Sequence, residues 1–133
     1  RCSRRSSTPT RRRPSSSDLV LGMSGMPEEL TPTSFCQRWP DAQRHEVQLL
    51  DVREPEELAM ASLPDTLHIP MRAIAARMIE LDPDRPIVVM CHTGIRSRHV
   101  AAFLLANDFK QVFNLAGGID AWAVEIAPDL SRY

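Results

Sequence analysis

The feature that most constrains this fold is an uninterrupted apolar run, Ile87–Met90, that leads directly into Cys91. The run is rich in β-branched residues and no polar side chain breaks it, which predicts a central strand covered on both faces. After a short loop, Val100 and Leu104 recur at helical spacing within residues 97–107. Strand, loop and helix therefore follow one another without a gap, and Cys91 is expected at the carboxyl end of the strand.

Short apolar runs alternate with helical patterns along the rest of the chain, as in repeated strand-helix-strand units. Further strands are predicted over residues 47–52, 67–69 and 112–115, and helices over 31–39, 54–61, 71–81 and 119–126. This order predicts an α/β fold with a parallel sheet. The last residues of the strand over 47–52 would emerge at the edge of the sheet, so we expect Asp51 and Arg53 there.

The basic residues are unevenly distributed. Residues 1–17 contain six of the 16 basic residues and none of the 17 acidic residues, so the rest of the chain is acidic. A nucleic-acid-binding surface needs Lys and Arg gathered on a folded face, so nucleic acid is not an expected partner. No apolar run reaches the length of about 18 residues that spans a membrane, so no membrane partner is expected either.

The beginning of the chain is read separately from the body. Residues 1–17 contain only Arg, Ser, Thr, Pro and one Cys, and so lack apolar side chains to offset the entropy of ordering. Residues 1–27 are therefore predicted to be a disordered basic leader. Either it derives from an expression vector, with the natural start at Met23 or Met26, or it is a targeting segment. Residues 28–127 are predicted to form one domain, followed by a C-terminal tail over 128–133.

The three cysteines, Cys2, Cys36 and Cys91, are widely spaced and odd in number. This pattern favours a reducing compartment, so a cytoplasmic location is predicted, with an organelle matrix as the alternative if the basic leader is native. Cys36 falls in the first helical pattern and is expected in the core, whereas Cys2 belongs to the leader.

The loop after the apolar strand carries the candidate chemistry. In open α/β sheets, ligands bind beyond the carboxyl ends of the strands, where a helix N-terminus presents free backbone N–H groups. Those dipoles and the charge of Arg96 favour a thiolate, so Cys91 is hypothesised to be a nucleophile near neutral pH. The alternative is that Cys91 is a small buried apolar residue ending a core strand. Gly94, which permits unusual backbone angles, and Ser97, at the helix start, favour the nucleophile.

Three ordered segments give the chain a resemblance to the rhodanese family that covers nearly all of residues 29–124. They are Leu-Leu-Asp-Val-Arg-Glu-Pro-Glu-Glu at 49–57, Cys-His-Thr-Gly-Ile-Arg-Ser at 91–97, and Leu-Ala-Gly-Gly-Ile-Asp-Ala-Trp at 115–122. The resemblance implies a rhodanese-like three-layer α/β fold, with a mostly parallel central sheet of about five strands and helices on both faces.

The resemblance also implies a double-displacement sulfurtransferase without a metal or an organic cofactor. Cys91 would take a sulfane sulfur from thiosulfate or a related donor and pass it, as a persulfide, to cyanide or another thiophilic acceptor. A fixed cation suits an anionic donor, so Arg96 is the main candidate to hold it. The remaining residues assigned to substrate binding are those of the same loop: His92, Thr93, Gly94, Ile95 and Ser97.

Asp51 and Arg53 are interpreted as a supporting polar network, with direct tuning of the cysteine as the alternative. The expected partners are a small sulfur donor and a thiophilic acceptor, either a thiol or a sulfur-carrier protein. The pattern predicts no particular oligomeric state.

Two other functions are compatible with the resemblance. A persulfide relay or protein-interaction module without turnover is the main alternative, although an intact Cys91 and Arg96 favour an enzyme. A phosphatase is the less favoured one, because related cell-cycle phosphatases place five residues between Cys and Arg to fit a phosphate. Here four residues, 92–95, separate them.

Overall fold

A computed structural model of the chain describes Cys2 and residues 26–133. The disordered leader predicted over residues 1–27 therefore lies almost entirely outside the described residues. Cys2 is joined to Cys36 by a disulfide, and both side chains pack against the core. Cys36 was expected in the core and is half-buried against it, but its disulfide with Cys2 was not predicted. Because disulfides persist in oxidising surroundings, the cysteines no longer support a cytoplasmic location, which stays a prediction.

Among the described residues, five strands, all paired in parallel, form one sheet in the order β1-β5-β4-β2-β3, which confirms the predicted α/β architecture. The first strand was not predicted, since it has three residues, two of them exposed, and so shows no apolar run. The strands are β1 (Glu28–Leu30), β2 (Gln48–Asp51), β3 (Leu67–His68), β4 (Ile87–Met90) and β5 (Val112–Leu115).

In the described part of the chain, four α-helices lie between successive strands and a fifth follows β5. They are α1 (Pro32–Arg38), α2 (Pro55–Met60), α3 (Ile74–Arg77), α4 (Ile95–Ala106) and α5 (Gly118–Glu125). The helix predicted over residues 71–81 is shorter than expected. Its middle turn is α3, and the flanking segments Met71–Ala73 and Met78–Glu80 are 3-10 turns. A 3-10 turn is wound more tightly than an α-helix and aligns the side chains of residues i and i+3. Within the described residues, no helix is both long and apolar enough to cross a membrane.

The sheet separates two apolar cores, as a three-layer fold requires. Leu49 and Val88 belong to one core, with Phe35 of α1 and Trp122 of α5. Their neighbours Leu50 and Val89 belong to the other core, with Ile74, Val100 and Leu104 of α3 and α4. Successive strand residues point to opposite faces, so both faces of the sheet are covered by helices.

Candidate active site

The carboxyl edge of the sheet brings the predicted site residues together. Cys91 follows β4 and is buried, with 1% of its surface exposed. In the neighbouring strand β2, Asp51 pairs with Met90, the residue just before Cys91. The loop of residues 91–97 and the pair Asp51 and Arg53 therefore lie at the same edge, as the parallel pattern predicted.

Hydrogen-bond donors of the loop converge on the sulfur of Cys91. The backbone N–H of Gly94 lies 3.1 Å from Sγ, and the N–H and hydroxyl of Ser97 lie 3.4 and 3.3 Å from it. Gly94 has φ +101° and forms the left-handed turn that starts α4 at Ile95, two residues earlier than predicted. Donors placed at a helix N-terminus in this way stabilise a negatively charged sulfur.

Asn114 of β5, which was not predicted as a site residue, holds this loop through hydrogen bonds to Gly94 and Ser97. Its buried amide Nδ2 donates to the carbonyl of Gly94 at 3.1 Å and to Oε1 of Glu29 at 2.9 Å. Its Oδ1 consequently faces the hydroxyl of Ser97, which donates to it. That hydroxyl has one proton, which it shares between Asn114 and the sulfur. The signal in the sequence was a single amide in an otherwise apolar strand.

The Gly117-Gly118 turn docks directly on the first residues of the loop. A side-chain carbon at Gly118 would lie 2.4 Å from the carbonyl oxygens of Cys91 and His92, so only glycine fits there. These same carbonyls accept hydrogen bonds from the N–H groups of Ile119 at 2.9 Å and Asp120 at 3.1 Å. The start of α5 thus holds the backbone around Cys91 in place.

Arg96 is held by Glu57, a second residue that the sequence analysis did not single out. The guanidinium donates from Nη1 to Oε2 at 2.7 Å and from Nη2 to Oε1 at 2.9 Å. The hydrogen bonds from Arg96 lower the pKa of Glu57 to about 2, and the same bonds raise the pKa of Arg96. Glu57 is fixed in turn by a capping box with Glu54 at the start of α2. The cation of the loop is therefore oriented and already paired.

This pair predicts a pH-dependent stability. The folded-state pKa of Glu57, about 2, lies below its ordinary value of 4.5, so its stabilisation is complete above pH 4.5 and is lost as the pH falls through about 2. At pH 7 we expect Glu57→Gln to lower the free energy of unfolding by about 1 kcal/mol. Denaturant unfolding of both proteins between pH 7 and pH 2 should show the difference shrinking in that acid window. A difference that does not change with pH would contradict the assignment, and Glu56→Gln, at an exposed position of the same helix, is the control.

Asp51 and Arg53 form a buried ion pair behind the loop. Both side chains are fully buried, and Arg53 donates to the Asp51 carboxylate from Nε at 2.9 Å and from Nη2 at 2.7 Å. Arg53 also donates to the carbonyl of Ala61 at 2.9 Å, and its own carbonyl lies 2.7 Å from Nε2 of His68. No described hydrogen bond joins either residue to Cys91, which favours the supporting role over direct tuning of the thiol.

The other loop side chains point outward from this framework. His92 is half-buried, while Thr93 and Ile95 are exposed. The ring of His92 stacks on the ring of Tyr133, with centroids 4.0 Å apart and an interplanar angle of 10°. Tyr133 was predicted only as part of the C-terminal tail, because no pattern of residues indicates so distant a contact.

The chain matches the profile of one protein family and is similar to several proteins and solved structures. The profile of the Rhodanese-like domain matches residues 38–125. A protein named sulfurtransferase from Allochromatium vinosum is 41% identical over 98 residues, which cover 74% of this chain and 90% of that protein. Thiosulfate sulfurtransferase GlpE from Actinobacillus pleuropneumoniae is 31% identical over 97 residues, which cover 73% and 90%. The crystal structure of a rhodanese-like domain protein from Staphylococcus aureus superposes with a TM-score of 0.67 at 28% identity, over 80% of this chain and 98% of that one.

Proposed function

Because this chain belongs to the rhodanese family, we propose that it is a sulfurtransferase in which Cys91 carries sulfane sulfur as a persulfide. The observation that carries the proposal is the convergence of two backbone N–H groups and the Ser97 hydroxyl on Sγ of Cys91. These hydrogen-bond donors suit a thiolate, whose negative charge lies on Sγ. In the persulfide the charge moves to the outer sulfur, one bond beyond Sγ and still beside the N–H groups of the same loop.

The proposed reaction has two displacements. In the first, the Cys91 thiolate attacks the sulfane sulfur of thiosulfate. The sulfur–sulfur bond of the donor breaks, and sulfite leaves with the bonding electrons. In the second, cyanide or another thiophile attacks the outer sulfur of the persulfide, thiocyanate or its counterpart leaves, and the thiolate is restored. No proton has to be transferred in either step when the nucleophiles are anionic.

Arg96 is the proposed binding group for the anionic donor. Its guanidinium has five N–H groups, and two of them are donated to Glu57. The remaining N–H groups can bind the oxygens of thiosulfate when it approaches the loop. Its side chain is 35% exposed, which leaves it accessible at the mouth of the site.

We therefore expect Arg96→Ala to raise the KM for thiosulfate and to lower kcat/KM by about 10- to 100-fold, the cost of one charge-assisted contact. Arg98→Ala is the matched control, because Arg98 is the next arginine along α4 and pairs instead with Glu29 at the surface. Its kcat/KM should stay within about twofold of the wild type. Steady-state formation of thiocyanate measures both. Equal losses in the two variants would argue against a specific donor site at Arg96.

A persulfide relay without appreciable turnover is the second candidate, and the Arg96–Glu57 pair is the observation that favours it. A carboxylate beside the loop cation weakens its attraction for a small dianion, whereas a protein donor or a sulfur-carrier protein brings further contacts. Slow turnover with thiosulfate together with saturable binding of a persulfidated carrier protein would identify the relay.

A further inference from the structure

We infer that Tyr133 is a specificity-determining residue of this site: its ring narrows the approach to Cys91 for bulky thiols, and its hydroxyl holds Glu57 in the pair with Arg96. The inference rests on the proposed sulfur transfer and adds to it a choice among acceptors. It is carried by contacts of one side chain with three separate parts of the site.

The segment after α5 is fastened beside the loop. Arg132 donates to both carboxylate oxygens of Asp120, at 2.9 and 3.0 Å. The backbone N–H of Asp120 in turn donates to the carbonyl of His92. Leu130, earlier in the same segment, packs against the core that contains Trp122. The residues that precede Tyr133 are therefore held both by the core and by the start of α5 beside the loop.

The ring of Tyr133 lies against the loop that holds Cys91. It stacks on the ring of His92, the residue directly after Cys91, at 4.0 Å and nearly parallel. The guanidinium of Arg53 lies 5.9 Å from the centroid of the same ring. Stacking on one side and a buried cation nearby keep the ring in one orientation.

The hydroxyl of Tyr133 connects two charged groups. It accepts from Nη1 of Arg53 at 2.8 Å and donates to Oε1 of Glu57 at 2.9 Å. Burial raises the pKa of Tyr133, so the hydroxyl keeps the proton that it donates to Glu57. Since Oε1 of Glu57 also accepts from Arg96 at 2.9 Å, Tyr133 supports the orientation of the loop cation.

These contacts predict a size limit in the second displacement. The His92–Tyr133 stack and the Arg96–Glu57 pair both flank the loop that holds Cys91. Cyanide has two atoms and should reach the persulfide past them, whereas a thiol such as glutathione carries a large substituent that the ring would obstruct. Discrimination of this kind comes from shape and not from charge, so it should depend on the ring and not on the hydroxyl.

The test is single-turnover discharge of protein preloaded with sulfur from thiosulfate, by cyanide and separately by glutathione. We expect Tyr133→Ala to raise the ratio of the glutathione rate to the cyanide rate by about 5- to 10-fold, because the ring is gone. Tyr133→Phe should keep the rate ratio of the wild type. In steady-state formation of thiocyanate it should raise the KM for thiosulfate by about threefold, because Glu57 loses a hydrogen bond. Phe103→Ala is the matched control, since Phe103 is 39% exposed on α4 and Tyr133 is 37% exposed. It should change neither quantity.

An unchanged acceptor ratio in a persulfidated Tyr133→Ala protein would overturn the inference while leaving the proposed sulfur transfer intact. A general loss of packing would slow both acceptors alike and leave the ratio unchanged, so that result also counts against it. If Tyr133→Ala unfolds, Tyr133→Leu, which keeps an apolar side chain but lacks the ring, replaces it, and an unchanged acceptor ratio in that variant would overturn the role of the ring. An unchanged KM for thiosulfate in Tyr133→Phe would overturn the role of the hydroxyl. Failure of the wild type to take up sulfur at all would overturn the proposed function and this inference together.

Discussion

Replacing Cys91 by serine is expected to lower the rate of thiocyanate formation from thiosulfate and cyanide by at least about a thousandfold. A serine hydroxyl stays protonated at neutral pH and does not form the persulfide on which both displacements depend. The side chain differs by one atom, and the donors around it, Gly94 N–H and Ser97, remain in place to bond an oxygen. The loss should therefore appear in activity, with little change in the free energy of unfolding.

The control for this variant is a protein with both other cysteines replaced, Cys2→Ser together with Cys36→Ser. These residues are joined to each other and lie in the core on the opposite face of the sheet from Cys91. The double variant should retain activity within about twofold of the wild type when assayed in its folded state. If Cys91→Ser retained a tenth or more of the wild-type rate, or the double variant lost as much activity, Cys91 would not be the sulfur carrier.

Replacing Asp51 by alanine is expected to lower the free energy of unfolding by about 3–5 kcal/mol, because it leaves the guanidinium of Arg53 buried without its counter-ion. Both side chains are fully buried in the folded chain, so water does not replace the lost carboxylate. Denaturant unfolding at neutral pH measures the loss, provided that the transition stays two-state.

Asp84→Ala is the matched control for that experiment. Asp84 also forms an ion pair, with Lys110 at 2.7 Å, but both side chains are 70% exposed. Its loss should cost less than about 1 kcal/mol, since solvent screens the pair. Similar effects of the two substitutions would mean that burial does not determine the contribution of the Asp51–Arg53 pair.

The strand, the loop and the helix around Cys91 could be predicted because each leaves a local signal. A run of apolar residues indicates β4, glycine marks the turn at Gly94, and helical spacing of Val100 and Leu104 indicates α4. The parallel sheet then brings Asp51 to the same edge as Cys91 by topology alone. β1 was missed because three residues with two exposed carry no periodic pattern.

The side chains that complete the site were not predicted, because their contacts join distant parts of the chain. Glu57 and Arg96 are 39 residues apart, and Tyr133 is 76 residues from Glu57 and 80 from Arg53. In the sequence, each of these residues could equally be an ordinary surface residue. Only the folded structure shows that they contact one another at the site. The disulfide of Cys2 and Cys36 escaped prediction for the same reason, since a separation of 34 residues defines no spacing motif.

The most direct test of sulfur transfer through Cys91 is the intact mass of the reduced, folded protein after incubation with thiosulfate, in parallel with Cys91→Ser. We predict that the wild type gains the mass of one sulfur atom, that Cys91→Ser does not, and that cyanide removes the added sulfur with release of an equal amount of thiocyanate. No added mass on the wild type, or the same added mass on both proteins, would contradict it.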